Sequence, residues 1–180
     1  MKTQILNLRS LAWMSALLMI TTFFSCEKDP LRNCRQDPTC EYFTCKVNGV
    51  QWEPQCNSDP LFGCTPWDVQ YYKSLEWLIM NVSSEDLKQS FLIYVKGNLQ
   101  NNTNYEVFTN ENSPSIFNNA KNQDTCSNYK ILKGVHSSFK IIDFNSDNRI
   151  IKGTFSFTGK NDCGEEVQIT DGEFNLHYRF

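Results

Sequence analysis

The stretch G-T-F-S-F-T-G-K, residues 153–160, decides the fold class. In an extended chain Phe155 and Phe157 point to one face, and Thr154, Ser156 and Thr158 to the other. The same period of two runs through residues 128–132, 135–144, 149–159 and 166–179. In the last of these, Val167, Ile169, Phe174, Leu176, Tyr178 and Phe180 alternate around Asp171-Gly172. That dipeptide is either a bulge within one long strand or a turn between two.

Upstream, short alternating runs are separated by turn chemistry. Residues 42–47 lead into Asn48-Gly49, the strongest short hairpin signal, and then into Val50, Gln51 and Trp52. Residues 54–66 hold three prolines, a glycine and two cysteines and read as an irregular loop. Strands are expected at 68–73, 75–82 and 90–97, with a turn or a single helical turn over 83–88. Alternation within 75–82 groups Trp77 with Leu75 and Ile79 as a core-like stripe. After an amide-rich segment at 98–104 comes a short strand at 105–109, and residues 110–125 read as a long surface loop. No segment shows sustained helical periodicity. The expectation is an all-β domain, a single antiparallel sandwich or curled barrel-like sheet of about nine strands.

The N-terminus reads differently. Lys2 and Arg9 precede an apolar run from Leu11 to Phe24 with no acidic residue, the pattern of a secretory signal. At the helical rise that run covers about 21 Å, too short for a ~30 Å hydrocarbon core. It ends in F-F-S-C, which resembles the looser form of the bacterial lipobox, with Ser25 before Cys26. The resemblance implies cleavage after residue 25 and lipidation of Cys26, anchoring the protein to the membrane. Phe23 and Phe24 depart from the stricter pattern and point to Bacteroidota-type processing. The charged Glu27, Lys28 and Asp29 resemble a surface-export signal, and they equally suit a solvated tether. The expected organisation is therefore a signal peptide at 1–25, a lipid-anchored tether at 26–41 and the β-domain at 42–180. Either the cell surface or the periplasmic face of the outer membrane suits that address.

Removing residues 1–25 takes two of the 17 bases and leaves 15 against 20 acids, a formal charge of −5. With no basic patch, nucleic acid is not an expected partner. Eight cysteines suit an oxidising compartment. Setting Cys26 aside leaves seven, so one thiol is left over. The expected disulfides are Cys56–Cys64, Cys126–Cys163 and Cys34–Cys40, which leaves Cys45 unpaired. The spacings contain no C-x2-C pair and no nearby histidine, so a zinc site fits poorly and no metal or other cofactor is expected.

The stretches F-T-C-K-V-N-G-V-Q-W (43–52), D-V-Q-Y-Y (68–72), I-I-K-G-T-F-S-F-T-G-K-N (150–161) and E-V-Q-I-T-D-G-E-F (166–174) are similar to a family of Bacteroidota lipoproteins of unknown function. The resemblance runs from about residue 42 onward and implies a β-rich exported domain. It implies nothing catalytic, because the matching residues are turn glycines, alternating phenylalanines and a hairpin asparagine.

Candidate sites are few. Asp143, Asn145 and Asp147 open like a calcium loop, but Asn148 and Thr154 stand where its glycine and bidentate acid belong, so a hairpin turn is the expectation. His136 and His177 sit in strand-like runs without a nucleophile elbow or a zincin motif. The pairs Glu165-Glu166 and Asp171/Glu173 offer carboxylates, more simply read as a solvated face than as a glycosidase pair. No catalytic residue is assigned. Trp52, Trp67, Trp77, Tyr71 and Tyr72 cluster early in the domain, and Trp67, expected in a loop, is the candidate ligand-binding aromatic, with Tyr71 beside it. The expected role is a non-enzymatic binding or structural module whose partner is a glycan or an envelope protein. The alternative is a hydrolase or a thiol enzyme using the odd cysteine.

Overall fold

The computed structural model describes residues 34, 37, 39–56, 65–107, 109–110, 113–120, 126–132 and 137–180. The expected signal peptide, Cys26, most of the tether, Cys64 and His136 lie outside the described residues. The chain divides into two compact units, Met1–Gln36 and Asp37–Phe180, and the second carries the strands.

Those strands are β1 (Tyr42–Val47), β2 (Val50–Trp52), β3 (Trp67–Tyr72), β4 (Trp77–Ser84), β5 (Gln89–Lys96), β6 (Thr103–Tyr105), β7 (Thr109–Asn110), β8 (Ser113–Pro114), β9 (Ile116–Asn119), β10 (Asn128–Ile131), β11 (Ser138–Asn145), β12 (Ile150–Lys160) and β13 (Glu166–His177). Nine of them follow one another in the order β2-β1-β13-β12-β10-β9-β5-β4-β3, a curled antiparallel sheet that forms a half-barrel. β11 and β6 branch from β12, while β7 and β8 pair with each other. Beyond β13, Arg179 bridges to Gln70 in parallel fashion. Its amide donates to Val69 O at 2.9 Å and its carbonyl accepts from Tyr71 N at 2.8 Å. The C-terminal tail thus occupies part of the β3 edge, where an unpaired backbone would otherwise face solvent.

Alternation builds the interior. Ile151, Gly153, Phe155, Phe157 and Gly159 of β12 are buried, with Lys152, Thr154 and Ser156 half-buried between them. Leu78, Met80 and Val82 of β4 lie opposite Val95, Ile93 and Phe91 of β5, all six fully buried. Each such side chain contributes roughly 1.5–3 kcal/mol relative to exposure. The core is a single cluster rich in aromatic contacts. Phe43 of β1 meets Trp52 at 5.9 Å, Phe91 at 5.6 Å and Phe155 at 4.9 Å, so the β1–β2 hairpin packs against both β5 and β12.

The Asn48-Gly49 turn forms as expected, with φ of 50° and 80°, values that an asparagine-glycine pair accommodates with little strain. Asp171-Gly172 resolves as a bulge inside β13. The pairing passes from Phe157↔Ile169 to Phe155↔Gly172, so β13 carries one residue more than its neighbour.

Three expectations are corrected. The stretch L-E-W-L-I-M-N-V is apolar at both parities, and the inward stripe is Leu78, Met80 and Val82 rather than Leu75, Trp77 and Ile79. Residues 73–76 form a turn that ends on Glu76 at φ 54°, which leaves Leu75 63% exposed. The surface loop expected over 110–125 contains β9, whose Phe117 is buried opposite Phe91 and Tyr129. A lone apolar pair among amides gives no period to read, and β9 exists through its pairing to β5 and β10. The strand expected at 105–109 is displaced to β6, with Val107 bridging to Val95.

Candidate functional site

The seam where the C-terminal tail meets β3 holds a cleft of about 530 Å³, within the range of small-ligand pockets. Trp67, the first residue of β3, lines it together with Asp68 and Val69; Thr65 enters from the preceding segment. The opposite wall comes from the end of β13 and the tail, as His177, Tyr178 and Arg179, with Glu41 beside them. Alternation assigns the roles. Val69 and Tyr178 turn inward and are buried, whereas His177 and Arg179 turn outward.

One ion pair and one histidine–carboxylate contact flank the cleft. Arg179 places Nη2 at 2.7 Å and Nε at 2.9 Å from Asp68 Oδ1. Gln70 Nε2 donates to Asp68 Oδ2 at 2.8 Å, and the Tyr72 hydroxyl in turn donates to Gln70 Oε1. The hydrogen bond from Arg179 holds the Asp68 carboxyl below its ordinary range, and the same bond raises the guanidinium. On the other side, His177 Nδ1 lies 3.0 Å from Glu41 Oε1, which also accepts the His177 backbone N–H at 2.7 Å. Trp67 is half-buried and packs against the core. No protein hydrogen bond reaches its indole N–H among the described residues, whereas Trp52 donates to Gln89 Oε1 at 2.8 Å.

The structure keeps Trp67 at this cleft and removes Tyr71 from it. Tyr71 is 2% exposed and meets Phe144 and Tyr178 edge-on, because it shares the inward parity of Val69. Trp67 belongs to β3 itself, not to the loop in which it was expected. Asp68, Arg179, Glu41 and His177 were not picked out by sequence reasoning. Asp68 and Arg179 are 111 residues apart, and no local pattern joins them. The only available signal was the outward parity that Asp68 shares with Gln70 and Tyr72.

The cysteines follow the expected scheme as far as they are described. Cys126 and Cys163 are bridged, with Cα atoms 5.6 Å apart. Cys34 and Cys40 are both disulfide-bonded, as their pairing requires, and so is Cys56, whose expected partner Cys64 lies outside the described residues. Among the described residues Cys45 is the free cysteine. Burial pushes its thiol up to about 12, so it is a small packed side chain and not the nucleophile of a thiol enzyme.

The remaining acidic candidates have local explanations. Asn145 Oδ1 accepts the backbone N–H groups of Asp147 and Asn148, each at 3.0 Å, which are the bonds of the β11–β12 hairpin turn. Glu165 accepts from the Asn161 amide and the Tyr129 hydroxyl, Glu166 pairs with Lys160, and Asp171 pairs with Lys46 at 2.9 Å. A second hollow, of about 300 Å³ over β12 and β13, presents hydroxyl and amide groups such as Ser156, Thr158 and Gln168 but no charge. Compared with family models, curated proteins and solved structures, the chain matches none of them.

Proposed function

We propose that this chain is a lipid-anchored envelope protein of the Bacteroidota lipoprotein type, and that its β-domain is a non-enzymatic module binding a glycan in the Trp67 cleft. The anchor rests on the F-F-S-C motif at Cys26; the outer membrane is the matching address. The binding reading rests on one observation. An aromatic side chain whose N–H has no hydrogen-bond partner among the described residues lines a concave seam beside the Asp68–Arg179 ion pair. Such sites combine apolar surface with a few placed polar groups that orient a ligand.

Two experiments test the two halves. Growth with labelled palmitate is expected to label the full chain and to leave the Cys26→Ala variant unlabelled; equal labelling of both would remove the anchor from Cys26. The full chain, purified in detergent, is expected to bind on a glycan array and to lose that binding in Trp67→Ala. Binding that survives the substitution would place the site elsewhere.

A further inference from the structure

Resting on the lipid anchor at Cys26, we infer that the domain also docks on the bilayer surface, through an apolar patch made by Tyr72, Leu75 and Phe180. Among the described residues four large apolar side chains are exposed, and these are three of them. The fold brings them together. The Arg179 carbonyl accepts the Tyr71 N–H at 2.8 Å, which sets Phe180 beside the Tyr71–Tyr72 end of β3. The Leu75 N–H donates to the Tyr72 carbonyl at 3.1 Å, so Leu75 stands in the turn that continues from the same end. Single exposed apolar residues are ordinary, whereas a contiguous group marks a contact surface.

The covalent path of the anchor says what this surface meets. With Cys34 bridged to Cys40, eight residues of chain lead from Cys26 to the bridge, and fully extended they span at most about 29 Å. That path enters the domain beside the patch. The Cys40 carbonyl accepts from Asn175 Nδ2 at 2.8 Å, and Glu41 holds the backbone N–H of His177, three positions before Phe180. The patch is therefore kept near the bilayer at high effective concentration, and a contact too weak to hold a free protein becomes sufficient. Tyr72 joins an apolar ring to a hydroxyl, the chemistry that favours tyrosine at a membrane–water interface. Exposed Lys73 and Glu76, with Asp147 and Arg149 in the β11–β12 turn, put both signs of charge near the patch. Apolar contact and not lipid charge must carry the docking.

The test places a tryptophan in the lipidated protein as cells process it, as Leu75→Trp or, for a control, Val50→Trp. Val50 is also exposed, but it pairs with Val47, which lies opposite Ile169, eight positions along β13 from His177 and roughly 26 Å away. Neither position is in the core, so neither substitution threatens the fold. Each variant is reconstituted into phosphatidylcholine vesicles, with or without lipids brominated about 5–10 Å below the headgroups, the depth an interfacial apolar side chain reaches. The emission that Leu75→Trp adds to the parent is expected to fall about twofold on brominated vesicles, and that added by Val50→Trp to stay unchanged. Flotation with the vesicles reads the anchor separately. Flotation with equal quenching of both variants, or of neither, would overturn the docking and keep the anchor. Absent quenching together with paired protomers in detergent would overturn it in favour of a second copy on the patch. Failure to float would overturn both.

Discussion

Cys45 shows how position, not residue type, sets chemistry. It lies on β1 opposite Trp52, 1% exposed, and desolvation of its thiolate raises the thiol to about 12. An unfolded cysteine ionises near ~8.5. The folded state therefore favours the neutral thiol, and its contribution is complete below the unfolded value. It is lost as pH rises through that value towards the folded one. The native protein is expected to leave Cys45 unreactive toward a thiol reagent at neutral pH, with modification appearing only on denaturation. The alkaline fall in unfolding free energy should flatten in Cys45→Ala. Rapid native labelling of Cys45 would contradict the burial. That this cysteine is left over was legible from the count of seven and the spacing of the others. Its burial was legible only as the parity of F-T-C. The Asp68–Arg179 pair was not legible, because neither residue carries information about a partner 111 positions away.

At the scale of elements, β12 and β13 interlock through two reciprocal pairs. Gly153 lies opposite Phe174, and Phe155 opposite Gly172. A Cβ on Gly153 would come within 2.3 Å of Lys140 O and 2.6 Å of the Phe174 ring. The Phe174 ring also stacks on Phe139 at 5.4 Å, so it has little room to yield. Gly153→Ala is expected to cost about 2–4 kcal/mol in urea unfolding, at or above the usual penalty for overpacking. Thr154→Ala, one residue along and half-buried, should stay within about 1 kcal/mol. Equal effects at the two positions would refute the close approach. These long C-terminal strands were the most legible elements because polar and apolar residues alternate cleanly. β4 was misread by one residue because both of its faces are apolar, so parity alone could not choose between them. β9 was missed because its pairing to β5 and β10, and not any pattern of its own, makes it a strand.

At the scale of the molecule, the Cys126–Cys163 bridge joins the segment before β10 to the loop between β12 and β13. This is the end of β12 where its partner changes from β11 to β10. With the cysteines 37 positions apart in sequence, closure of the unfolded loop is worth roughly 3–4 kcal/mol in the chain-entropy account. Replacing both by alanine is expected to lower the unfolding free energy by about 2–4 kcal/mol while leaving the far-ultraviolet spectrum β-rich. A loss of less than about 1 kcal/mol would mean that the unfolded chain is already restricted there.

The pairing of β1 with β13, Tyr42 with Asn175, carries a consequence for how the chain acquires its structure. The β3–β4–β5 meander closes through short turns and can form locally, but β1 has no neighbour except its own hairpin until β13 exists. Contacts of such long sequence separation make folding slow and place its completion late. The sheet would therefore close only once its last long strand is in place, and removing β13 would leave β1 unfolded instead of producing a smaller stable domain.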